Sequence, residues 1–161
     1  MRRALLASLL LATIAAPAGA ESPSDGEAIG EAISGVQTTA RVIDRISAYC
    51  SGKFADDAVG AASARAWHAR NGQWERAADG LRTYARTVVE REGSDVADFD
   101  RQLDAIMDQG ATDLLAKFDA MPSDDERRNG CQRFAGAVDE GAMDIETNWQ
   151  KSLPLLRDYL K

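Results

Sequence analysis

The chain has 161 residues, with 26 acidic against 19 basic side chains and a net charge of −7. That length suits one domain with a hydrophobic core of ordinary size. An acidic surface repels phosphate backbones, which speaks against nucleic acid and anionic membrane as partners.

The chain opens with "MRRALLASLLLATIAAPAGA". Arg2 and Arg3 precede an apolar stretch, Ala4 to Ala16, and Ala18-Gly19-Ala20 supplies the small residues of a cleavage site, so residues 1–20 read as a secretory signal peptide. The apolar stretch is too short to anchor comfortably in a membrane, and no cysteine follows it to carry a lipid. Later segments also fall short of the roughly 20 apolar residues of a span. The expectation is a single domain over residues 21–161, periplasmic or secreted. Arginine outnumbers lysine and alanine and glycine abound, a bias of GC-rich bacterial genomes that favours the periplasm.

Within that domain, Ile29, Ile33, Val36, Ala40, Ile43, Ile46 and Cys50 recur at steps of three and four, one apolar stripe of a helix. Ser51-Gly52 is expected to stop it. Trp67, Trp74, Leu81 and Val88 then follow at sevens, with Ser63, Arg70, Ala77 and Tyr84 on the accompanying seam. Asn71-Gly72 is a turn or cap dipeptide inside this pattern, so the segment 67–92 is either one kinked helix or two. The preserved phase favours a kink or brief interruption, and "EREGSD" at 90–95 is the clear turn.

A third helix is expected from about Asp95 to Ala120, capped by Ser94, with Val96, Phe99, Leu103, Ile106, Gly110, Leu114, Phe118 and Met121 on its apolar face. Pro122 ends it, and Ser123 with Glu126 forms a capping box for a fourth helix that carries Cys131, Phe134, Ala135 and Val138 inward and ends near Gly141. The remainder reads as a short helix from about Asp144, disturbed at Pro154, with Trp149, Leu153, Leu156 and Leu160 to pack. Whether Trp149 is buried within the chain or against a second copy is open at this level, and a homodimer through an exposed apolar strip fits the pattern. Four amphipathic helices with short connections predict an all-α, antiparallel up-and-down four-helix bundle.

Cys50 and Cys131 are the only cysteines. In an exported chain two thiols predict one disulfide, and the bundle brings the end of the first helix level with the start of the fourth. The rivals are an intermolecular bridge or reactive thiols. Arg127 and Arg128 could acidify Cys131, but no Cys-x-x-Cys motif accompanies them.

Three groups could carry function. His68, the lone histidine, stands between Trp67 and Trp74. One histidine without fitting partners makes no zinc, di-iron or covalent haem site, which leaves a b-type haem shared with Met107, Met121 or Met143 as the alternative ligand reading. Arg70 takes a seam position, where it can stack on indole or hold an anion. Asp100, Asp104 and Asp108 stack at i, i+4 and i+8, a costly acidic stripe that only Arg101 obviously offsets. Helical spacing does not converge enough oxygens for calcium, so no metal is expected.

Catalytic motifs are missing: there is no Gly-x-Ser-x-Gly elbow, and the lone histidine has no designated nucleophile. The expectation is a non-enzyme without a cofactor that binds another envelope or secreted protein, as an inhibitor, immunity-type neutraliser or periplasmic adaptor. Its aspartate stripe would meet a basic partner. The alternative is a bundle that holds haem or a small apolar molecule at His68 and Arg70.

Overall fold

A computed structural model describes residues 25–54 and 60–160 of the chain. The predicted signal peptide lies outside these residues. The described chain is helical with no strand: α1 (Asp25–Phe54), α2 (Ala61–Arg91), α3 (Val96–Asp119), α4 (Asp124–Asp139) and two short helices, α5 (Ile145–Asn148) and α6 (Leu153–Arg157).

The apolar stripe of α1 faces inward as its spacing demands, with Ile33, Val36, Ile43, Ile46 and Cys50 fully buried. Ser51-Gly52 does not stop the helix, which runs on to Phe54. The Ser51 hydroxyl instead accepts a hydrogen bond from the Ala61 N–H at 3.1 Å and satisfies one of the open donors at the start of α2.

Helix α2 passes unbroken through Asn71-Gly72 and buries Trp67, Trp74, Ala77 and Leu81. The turn dipeptide is overruled because Asn71 finds tertiary partners for its amide inside the core. Gly93 closes the helix at a positive φ of 73°, where a side chain would be strained. Helix α3 starts on Asp95 rather than Ser94: the Asp95 carboxylate accepts from the N–H groups of Ala97 and Asp98. The buried face of α3 is also rotated from the expected one. Met107 and Ala111 are fully buried, whereas Ile106 is 63% exposed. Helix α4 is capped by Ser123, whose hydroxyl accepts from the Glu126 N–H, and it ends at Asp139, before Gly141.

Helix α1 lies at the centre of the assembly. It runs antiparallel to α2, as the pairs Gln37–Asp79 and Asp44–His68 show, and in the same direction as α3, as Arg41–Asp104 and Arg45–Asp108 show. One core cluster joins α1, α2 and α3 to Val138, Ile145, Leu153 and Leu156. A second surrounds the Cys50–Cys131 disulfide (Cα–Cα 5.8 Å) with Val42, Ile46, Ala111 and Phe118. Helix α4 is short, and the C-terminal segment with α5 and α6 covers the part of the core that α4 does not reach.

Trp149 shows how that cover seats. Its indole packs on Gly35 so closely that a Cβ there would stand 2.6 Å from the ring, and its Nε1 donates to the Thr39 hydroxyl at 3.2 Å. The tryptophan therefore packs within its own chain. Leu153 and Leu156 are buried as expected, while Leu160 is 40% exposed.

Candidate functional site

The aspartate stripe is joined to arginines of two neighbouring helices. Arg41 of α1 bridges Asp104 at 2.6 Å and Asp108 at 2.8 Å, and Arg45 also pairs with Asp108. From α2, Arg82 reaches Asp100 at 2.9 Å and Asp104 at 3.1 Å, and Arg86 adds a contact to Asp100. Arg101, the expected offset, pairs with Asp98 instead. Like charges at i and i+4 repel, but each aspartate of this stripe accepts hydrogen bonds from a guanidinium. Arg82 and Arg41 accordingly hold the Asp104 carboxyl below its usual range, against the opposing effect of burial. The stripe is thus one side of a mixed-charge ladder that ties α3 to α1 and α2.

His68 sits beside the tryptophan seam. Its ring meets Trp67 edge to face, with centroids 5.2 Å apart. Nε2 lies 2.8 Å from a carboxylate oxygen of Asp44, and Nδ1 lies 3.0 Å from both oxygens of Glu75. Neither ring nitrogen is left open to a metal. Met107 is fully buried in the main core, while Met121 and Met143 are partly buried against the disulfide cluster.

Arg70 does not stack on indole. Its guanidinium donates to Asp144 and to the Val138 carbonyl. Asn71, beside it, was invisible as a tertiary anchor in the sequence. It is 2% exposed; its amide NH2 donates to the Trp67 carbonyl (3.0 Å) and Asp144 (2.8 Å), and its carbonyl oxygen accepts from the Ile145 N–H (2.9 Å). Together with the Trp67 indole, whose Nε1 donates to the Met143 carbonyl at 3.0 Å, these groups fasten the start of the C-terminal segment to α2.

A surface groove lies elsewhere. A groove of about 490 Å³ opens between the first turns of α1, the second half of α2 and the end of the chain, lined by Asp25, Ala28, Ile29, Tyr84, Leu155, Asp158 and Tyr159. Tyr84 is 45% exposed, and its ring stands 6.1 Å from that of Tyr159. Burial, with the nearby Tyr84 and the Asp158 charge, pushes the Tyr159 phenol up. Periodicity could not find this groove, because it combines residues more than a hundred positions apart.

No metal-binding group of three or more His, Cys, Asp or Glu side chains occurs among the described residues, and no helix among them is long and apolar enough to cross a membrane. No known protein family, curated protein or solved structure matches the chain. The described residues form an all-helical, disulfide-linked fold with an aromatic groove on its surface.

Proposed function

We propose that the protein is an exported, non-catalytic four-helix bundle that binds another protein of the envelope or the secreted milieu. The buried disulfide and the signal-like first twenty residues support export. The observation that carries the binding reading is the Tyr84–Tyr159 groove. Protein interfaces favour tyrosine-rich apolar centres with polar rims, and this groove is lined by Tyr84, Tyr159, Ile29 and Leu155 together with Asp25 and Asp158. The occupant it fits is a segment presenting an apolar side chain flanked by lysine or arginine. The aspartate ladder supports that role less, because its charge is already matched by arginine within the chain.

The test is comparative capture from the host's envelope fraction at low salt. The wild-type protein should enrich one partner that Tyr84→Ala and the double variant Asp25→Lys/Asp158→Lys fail to retain and that high salt releases. Asp113→Lys, outside the groove, should capture it normally. Equal capture by all variants, or no enriched protein, would refute the groove as the binding surface.

A further inference from the structure

We propose that His68 is a proton-operated latch between α1 and α2, closed while its imidazole carries two N–H groups and opened when one proton leaves. The geometry is two-sided. Asp44 approaches Nε2 from α1 at 2.8 Å, and Glu75 approaches Nδ1 from α2 itself at 3.0 Å. An ionised carboxylate offers only acceptors, and a neutral imidazole offers one N–H and one lone pair. Only the imidazolium can therefore satisfy both contacts. In the neutral ring a lone pair would point at a carboxylate oxygen within hydrogen-bond distance, so one of the two links must open. If the remaining N–H stays with Glu75, the lost link is the one that joins the two helices.

Asp44 and Glu75 are the charged groups that act on the ring. Burial works against the charged form, but the hydrogen bonds and charges of Asp44 and Glu75 outweigh it and raise the imidazole above its ordinary 6.5. The sign follows from linkage. A group with a raised folded-state value contributes stability that is complete below the unfolded value near 6.5 and is lost as pH rises through the folded midpoint. The latch loosens on the alkaline side, at the end of the α1–α2 pair that carries Cys50 and the first turns of α2.

His68 is the only histidine, so its ring resonances report the latch without ambiguity. Nuclear magnetic resonance titration of the wild-type protein should give a midpoint above 6.5. In Asp44→Asn/Glu75→Gln, which removes both carboxylate charges, the midpoint should fall. Amide exchange in the first two turns of α2, corrected for intrinsic base catalysis, should accelerate about threefold above the midpoint in the wild type and show no such step in His68→Gln. A wild-type midpoint at or below 6.5, a midpoint unmoved by the double variant, or flat corrected exchange across it would each overturn the latch.

Discussion

Asn71 holds a polar position that an apolar residue could have filled at less desolvation cost, and its three hydrogen bonds explain its presence. A buried amide with every partner in place fixes geometry, whereas removal of one member strands the others. Asn71→Ala would leave the Ile145 N–H without its acceptor and take from Asp144 one of its donors, leaving it only the Arg70 guanidinium. We expect a loss of about 2–4 kcal/mol in urea denaturation. Arg70→Ala, at a position about a third exposed, should cost less than half as much. In the sequence, Asn71-Gly72 reads as a break because the local preferences of that dipeptide are all that a linear pattern displays. Its tertiary partners, Asp144 and Ile145, lie more than seventy positions away, in a segment whose path no periodicity specifies.

At the scale of the helix, the apolar stripes of α1 and α2 were legible because the period of a helix is a local property; burial follows it along α1 and from Trp67 to Leu81 in α2, whereas the seam positions Arg70 and Tyr84 are exposed. The rotation of α3 was not. Ile106 and Met107 are both apolar neighbours, and only the packing against α1 decides which of them turns inward. The same rotation carries Asp100, Asp104 and Asp108 toward Arg41, Arg45, Arg82 and Arg86. A stripe that looks uncompensated along one helix is thus neutralised by two others. Charge reversal gives a direct check. Asp104→Lys would place an ammonium between Arg41 and Arg82, and should destabilise the fold by about 1–2 kcal/mol after allowance for solvent screening. Asp113→Lys, on the same helix but outside the ladder, should stay within about 0.5 kcal/mol of wild type in the same denaturant measurement. The gap between the two variants should narrow in high salt.

For the whole molecule, the disulfide joins the late part of α1 to α4 across a sequence separation of 81 residues. In the chain-entropy account, closing such a loop stabilises the folded state by about 4 kcal/mol, chiefly by restricting the unfolded chain. Cys50→Ala/Cys131→Ala should therefore lower the denaturation midpoint markedly while leaving the far-ultraviolet circular dichroism of the native state helical. The bridge was readable from the cysteine count and the expectation of export alone. The tyrosine groove was not, since it requires the first turns of α1 and the last residues of the chain to meet.

Cys131 precedes the C-terminal segment in chain order, and that segment supplies Ile145, Trp149, Leu153 and Leu156 to the core. A polypeptide terminated just after Glu140 would retain both thiols and could be oxidised normally. It would nevertheless leave the Trp67 indole N–H without the Met143 carbonyl and Gly35 bare of its tryptophan. Crosslinking and completion of the interior are separate events in this molecule, and a gel that scores only the oxidised band would count an unfinished protein as mature.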